Sequence, residues 1–151
     1  MEKDIEIHEK EPEGFSPQVQ VAACYLEKEG KVLLLQRATN KSEAGKWGVP
    51  AGKLEKNELP IDAATRELFE ETGVSIASSQ IHSLGSLYIR KPEISYIYHL
   101  FKVHIDHLPP VCLSSEHQSY TWASFEELIK MPLMAGAKQA VDFYRTFEVN
   151  G

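Results

Sequence analysis

The stretch 52-GKLEKNELPIDAATRELFEETGV-74 decides how the rest of this 151-residue chain is read. Pro60 fits the first turn of a helix, where its missing N–H costs nothing, and Gly73 supplies a C-terminal stop. A helix is therefore expected over residues 60–72. With Arg66 at zero on a helical wheel, Glu70 falls near 40°, Glu67 near 100° and Glu71 near 140°. Ile61, Thr65, Leu68 and Phe69 fall on the other side and are expected to form the buried stripe. Glu67 and Glu71 are four apart, a like-charge spacing that destabilises a helix by about 0.2–0.5 kcal/mol. Composition alone reads such a face as solvated surface. Clustered carboxylates are nevertheless poor surface design without a cation, and hard oxygen donors suit Mg²⁺ or Mn²⁺. The preceding "WGVPAGK" (47–53) brings glycine backbone close to the same face.

Working outward, "QVQVAACYLEK" (18–28) alternates, and "KVLLLQRA" (31–38) reads as its buried partner across the turn "EG", a hairpin. Residues 39–48 form a polar, glycine-bearing loop closed by Trp47. "IHSLGSLYIRK" (81–91) and "ISYIYHLFKVHI" (94–105) are rich in aromatic and β-branched residues and predict a long antiparallel pair. After a loop come a short strand "SYTWAS" (119–124), a helical turn "FEELIK" (125–130) and an amphipathic helix "AGAKQAVDFYRTF" (135–147). Residues 1–16 are an N-terminal arm or edge strand, with "DIEIH" the strand candidate, and 17–151 a single domain. Strands around a central helix, with a second helix late, give an α/β fold: a mixed β-sheet between helices.

Composition excludes several classes. At 42% apolar the chain can bury one core. A net charge of -6 argues against a nucleic-acid polymer as partner. No apolar run approaches the roughly 20 residues of a membrane span, and the charged start lacks a signal peptide's apolar region. The two cysteines, Cys24 and Cys112, make no metal-type spacing, and Cys24 in "VQVAACYL" reads as a buried thiol. The expected home is cytoplasmic.

The opening stretch resembles the Nudix box, G-x5-E-x7-R-E-U-x-E-E-x-G-U with U aliphatic. It matches at Gly52, Glu58, Arg66, Glu67, Leu68, Glu70, Glu71, Gly73 and Val74, and the flanking "LLLQR", "GKWGVPAGK" and "EHQSYTWASFEEL" are similar to the family too. The resemblance implies an α/β/α Nudix sandwich and a hydrolase that splits phosphoanhydrides of nucleoside diphosphate derivatives with Mg²⁺ or Mn²⁺ and water. It implies Glu67, Glu70 and Glu71 as metal ligands, joined by backbone at Ala51 and Gly52. Glu67 is a ligand or the base, and Glu70 and Arg66 belong to the same catalytic group. Arg66 orients a glutamate of the box, and Glu58 supports that pairing. Glu116 in "SSEHQ" matches a glutamate that relatives bring from a distant loop to complete the metal or base site. The sequence has "PAG" where many relatives have "PGG"; alanine fits only with ordinary backbone dihedrals.

Outside the box, Arg37 and Lys53 are candidates for phosphate contacts, with Arg90 a weaker one. Trp47, Tyr88, Tyr96 and Tyr98 are candidates for stacking on a base, Trp122 reads as core, and His117 reads as pocket-facing or as an exposed loop residue. The coenzyme A branch carries a further upstream arginine where this chain has "NKSEAG". Pro92 lies late for the ADP-ribose branch, and Tyr88 matches the diadenosine-polyphosphate pattern only loosely. An isomerase on the same fold needs a cysteine that "WGVPAG" lacks. The favoured activity is a (d)NTP cleaved to (d)NMP and pyrophosphate. ADP-ribose, nucleotide sugars and dinucleoside polyphosphates are the alternatives, and a non-catalytic nucleotide sensor is the reading from another class. The partner is a nucleotide-type small molecule, and the chain a monomer or homodimer.

Overall fold

A computed structural model describes residues 5–150; residues 1–4 of the expected N-terminal arm, and Gly151, lie outside it. The strands are β1 (Glu6–His8), β2 (Val19–Lys28), β3 (Lys31–Arg37), β4 (Trp47–Gly48), β5 (Ala51–Lys53), β6 (Ile81–Arg90), β7 (Ser95–His104) and β8 (His117–Ser124). The helices are α1 (Pro60–Thr72), α2 (Phe125–Leu128) and α3 (Ala137–Asn150). One sheet runs β1-β6-β7-β2-β3-β4, with β5 paired to β2 and β8 to β3. Among the strand ladders of the described residues β2–β7 is parallel and the others are antiparallel, so the sheet is mixed.

Alternation along the strands sorts side chains to two faces. Ala22, Cys24 and Leu26 of β2 pack with Phe101 and Val103 of β7 against Ala63, Ala64 and Leu68 of α1. On the other face Tyr25, Leu34 and Leu100 pack against Leu128 of α2 and Ala140, Val141 and Tyr144 of α3. Tyr25 and Tyr144 stack with ring centroids 4.3 Å apart. The result is an α/β/α sandwich.

The expected hairpin forms only at its tip. Glu29 and Gly30 both take positive φ (50° and 78°), the two-residue turn whose twist suits antiparallel strands. Yet β2 and β3 pair only at Glu27–Val32 and Lys28–Lys31 before they diverge. Beyond that point β3 takes β4 as its neighbour, and β2 takes β5. "WGVPAGK" thus fills a wedge within the sheet, which is why its glycines and proline are useful there.

α1 matches its predicted span. Leu59 at its N-cap makes no side-chain cap; Pro60 begins the helix, and Gly73 ends it in the left-handed conformation (φ 75°) with its N–H on Phe69 O at 2.8 Å. The loop before β8 satisfies two further carbonyls at this end. Cys112 N donates to Thr72 O (2.8 Å) and Ser114 N to Glu71 O (3.3 Å). The expected buried stripe needs correction. Leu68 is fully buried, Ile61 and Thr65 are half-buried, and Phe69 is 56% exposed, whereas Glu71 is only 4% exposed. The sheet meets the helix along Ala64, Leu68, Glu71 and Thr72, so the buried arc is rotated toward the glutamates.

Leu68→Ala removes a fully buried side chain from the α1–sheet contact. It is expected to destabilise the fold by about 2–5 kcal/mol, read as a lower urea midpoint at unchanged m-value.

Candidate functional site

Arg66 projects from the middle of α1 into a ring of oxygens. Its Nε and Nη2 hold both oxygens of Glu58 at 2.8 and 2.9 Å, the two-pronged geometry that suits a guanidinium and a carboxylate. Nη1 donates to Glu67 Oε1 (2.8 Å) and Glu70 Oε1 (3.1 Å), and Nη2 also donates to the Lys53 carbonyl (3.0 Å). The Glu58 carboxyl is thereby held down at about 2, by Arg66 first and then by the Glu55 N–H. Arg66 itself is pushed further into its charged form by Glu58. The fork is a rigid bracket that ties the box loop to the helix.

Glu71 lies one turn beyond Glu67 and sits where Arg66 makes no bond to it. Among the described residues its carboxyl has one backbone partner, the Ala51 N–H, which reaches Glu71 Oε1 at 3.1 Å across the wedge. Burial pushes the Glu71 carboxyl up to about 9, with Glu67 and then Glu116 adding like charge against the single lowering bond from Ala51. Glu67 is also raised, by burial, in spite of Arg66, and Glu70 and Glu116 contribute. The structure therefore brings Glu67, Glu70, Glu71 and Glu116 into one electrostatic cluster. The backbone of Ala51 and Gly52 forms its floor. Ala51 lies in ordinary strand conformation, as the "PAG" variant requires.

Glycine at 52 is a matter of space, since its φ is not positive. A Cβ built there collides with the carboxyl of Glu67. The carboxylate thus lies directly on bare backbone, in a cradle that any side chain at 52 would fill.

Do these residues fit a divalent cation? Among the described residues no three His, Cys, Asp or Glu side chains close into a ready ligand shell. Glu67 and Glu70 are turned onto Arg66 instead. The donor chemistry fits all the same: carboxylate and carbonyl oxygens are the ligands of Mg²⁺ and Mn²⁺. A carboxyl as buried as Glu71, with no cationic side chain on it, is the acid that a bound cation would keep ionised.

On the α3 side of the wedge lies a mostly apolar cavity of about 100 Å³, walled by Gly48, Val49, Ala51, Tyr96, Tyr98 and Met134 among others. Ala51 belongs both to this wall and to the carboxylate cluster. The Tyr98 phenol is raised well above its usual range by burial, then by Tyr96 and Glu71, so it too senses the cluster. The cavity and the carboxylates thus adjoin at Ala51.

Residues 16–147 match the model of the NUDIX domain. The chain belongs to the Nudix hydrolase family. It is 33% identical over 121 residues to the CTP pyrophosphohydrolase of Escherichia coli K12, spanning 76% of this chain and 82% of that protein. It is 34% identical over 120 residues to the phosphatase NudJ of Shigella boydii, spanning 77% of this chain and 74% of that one. Among solved structures, the MutT protein of Methanosarcina mazei Go1 superposes with a TM-score of 0.74 at 29% identity, covering 89% of this chain and 95% of its own. The chain is accordingly an enzyme of the class that hydrolyses phosphoanhydrides.

The candidates outside the box of this Nudix hydrolase fare unevenly. Tyr96 and Tyr98 line the cavity. Tyr88 instead meets the edge of Phe15 (5.5 Å) on a different part of the sheet. Trp47 packs among the α3-side core residues and exchanges backbone bonds with Pro132 and Met134. Arg37 is engaged by its own loop, donating to Ser42 O (3.2 Å) and Ser42 Oγ (3.4 Å). Lys53 is exposed, and gives its carbonyl to Arg66. Arg90 pairs with Glu6 at 3.4 Å across the sheet edge. Trp122 is half-buried against the α1-side core, as expected. His117 is half-buried, with Nδ1 lacking a hydrogen-bond partner; burial and Arg37 lower it. Cys24 is buried, and its thiol is pushed up to about 12 by burial.

Sequence reasoning missed the 133–136 segment, which supplies Leu133, Met134, Ala135 and Gly136 to the cavity. Its apolar "PLMAG" was a signal, but nothing in the chain order places it beside Gly48.

Because Glu71 is protonated more readily in the fold than in the unfolded chain, the fold binds an extra proton between about pH 4.5 and 9. The metal-free protein therefore loses stability as pH rises through that window. Added Mg²⁺ is expected to raise the melting temperature more at pH 8.5 than at pH 6. Glu71→Gln should flatten both trends in paired thermal melts; an unchanged Mg²⁺ response in that variant would remove Glu71 from the ligand set.

Proposed function

We propose that this Nudix hydrolase is a divalent-metal-dependent nucleoside triphosphate pyrophosphohydrolase. It adds water across a phosphoanhydride of a (d)NTP to give (d)NMP and pyrophosphate. The observation that carries the proposal is Ala51, which is shared between an apolar cavity able to take a base and a carboxylate cluster suited to the metal that binds phosphates. The similarity to a CTP pyrophosphohydrolase supports the same substrate class. The full set of box residues, with Arg66 and its glutamates in contact, favours catalysis over nucleotide sensing.

In this mechanism Glu67, Glu70 and Glu71 would hold the cation, together with the backbone at Ala51 and Gly52 and with Glu116. A divalent ion supplies charge screening for the phosphates and acidifies the attacking water. Arg66 keeps Glu67 and Glu70 oriented before substrate arrives, and the Glu58 fork keeps Arg66 from following them. Glu67, raised by burial, and Glu116 from the loop before β8, whose charge reaches Glu67 and Glu71, are the two carboxylates we assign to receive the water's proton. Glu116 is held from both sides: its N–H donates to Ser114 Oγ (3.4 Å), and its carbonyl accepts from Ala38 N (2.9 Å). Lys53, exposed at the rim, is available to the phosphates. Tyr96 lies where it can contact the base, while Arg37, Trp47 and Tyr88 act at most indirectly, through the loop and core that frame the site.

Glu70 is half-exposed, so Glu70→Gln is expected to leave folding intact. It should lower kcat with Mg²⁺ by about 10²–10³, the size of losing one preorganised charge-stabilising group. Near-wild-type turnover would remove Glu70 from the metal site. A panel of NTPs, nucleotide sugars, ADP-ribose and dinucleoside polyphosphates, with products separated by chromatography, tests the substrate class. Pyrophosphate release should need Mg²⁺ or Mn²⁺, stop in EDTA and rise toward alkaline pH; a rate that persists in EDTA would overturn the metal mechanism.

A further inference from the structure

We infer that the cavity beside the carboxylate cluster admits a single-ring base, and that Met134, packed over Gly48, sets that limit. The inference rests on the triphosphate reading above and narrows it to pyrimidine nucleotides.

Size is the first ground. The cavity measures about 100 Å³. An apolar protein cavity of about 150 Å³ accommodates one benzene ring. A space of this size is filled by about one ring, so the fused second ring of a purine has to find room outside it.

The second ground is the identity of the wall. A Cβ built on Gly48 would lie 3.0 Å from Met134 Sδ, so the thioether already presses on the strand backbone. Met134 is not free to swing with its segment. Its N–H donates to Trp47 O (2.9 Å), Trp47 N donates to Pro132 O (2.9 Å), and Trp47 forms a parallel bridge with Leu133. The next residue is tied as well, Ala135 N donating to Glu43 Oε1 at 2.8 Å. The segment between α2 and α3 is thus strapped across β4, and only the methionine side chain can yield. A thioether also makes favourable contact with an aromatic ring, which suits it to face a base.

The third ground is position. Ala51 lines the cavity and donates its N–H to Glu71, so a ring held there lies one residue away from the carboxylates that face its phosphates in this reading. Tyr96 and Tyr98 also line the cavity and bring aromatic side chains to it.

The test compares kcat/KM for CTP, UTP, ATP and GTP with Mg²⁺ in wild type, Met134→Ala and Gly48→Ala. Wild type should favour the pyrimidines by at least about tenfold, since apolar pockets discriminate by about 10–200-fold per methylene of misfit. Met134→Ala should cut that preference severalfold by raising the purine rates. Gly48→Ala should lower the rates for all four while leaving Mg²⁺-induced thermal stabilisation intact. Purines turned over as well as pyrimidines by wild type would overturn the size limit and leave the triphosphate reading standing. An unaltered preference in Met134→Ala would overturn the role of Met134. No turnover of any triphosphate would overturn the triphosphate reading itself. In that event, binding of CMP and AMP to the metal-free protein, followed by NMR shifts at Tyr96 and Met134, decides the cavity alone: CMP must bind more tightly than AMP, and equal or reversed affinity overturns the inference.

Discussion

A carboxylate taken out of water governs this molecule. Glu71 sits on the buried arc of α1, where a leucine would pack more cheaply, and it is met by one backbone N–H and by other carboxylates. Burying an unpaired charge costs several kcal/mol after relaxation. Such a placement persists only where the group stays protonated or a cation is supplied, and the other features of the site follow from it. Ala51 must offer its N–H across the wedge, Glu67 must lie flat on Gly52, and the loop before β8 must bring Glu116 over the end of the helix.

The wedge makes this arrangement possible. Had β2 and β3 stayed paired along their length, the N–H of Ala51 would have had no reason to face the helix, and the two faces of the sheet would be sealed from each other. Their divergence after the Glu29–Gly30 turn admits β4 and β5. It also lets one residue, Ala51, touch the carboxylates and the apolar cavity. The carboxylate cluster on the helix side and the apolar cavity on the α3 side are thereby joined through the sheet. Arg66 holds this geometry open: its fork to Glu58 satisfies the guanidinium, so its remaining donors can orient Glu67 and Glu70 without drawing them out of reach of a cation.

Much of the fold was legible in the chain because its signals are local. The proline and glycine that bound α1, the alternation in β2 and β7 and the Glu29–Gly30 turn each act over a few residues. The failures share one cause. A wheel built on α1 shows that Phe69 and Glu71 lie on different sides of Leu68, but not how far the buried arc extends to either side. That arc includes Leu68 as expected and then runs toward Glu71 instead of Phe69. The hairpin was read as continuous because both strands are apolar, while the insertion of β4 and β5 depends on partners from elsewhere. Stacking was assigned by residue type to Trp47, Tyr88, Tyr96 and Tyr98, and of these Tyr96 and Tyr98 line the cavity while Trp47 and Tyr88 pack elsewhere.

The sequence by itself determined the reaction class through its resemblance to the Nudix box, while the spacing of Glu58, Arg66, Glu67, Glu70 and Glu71 determined that the donors and their arginine share one helix and its entry loop, since helical geometry is a property of neighbours in the chain. Only the tertiary structure decided how these groups are used. It buried Glu71, pressed Glu67 onto Gly52, delivered Glu116 from 45 positions beyond Glu71, and laid Met134 over Gly48. Each of those contacts joins segments distant in sequence, and desolvation, the force that gives them their chemistry, depends on everything packed around a group and not on the residues beside it in the chain.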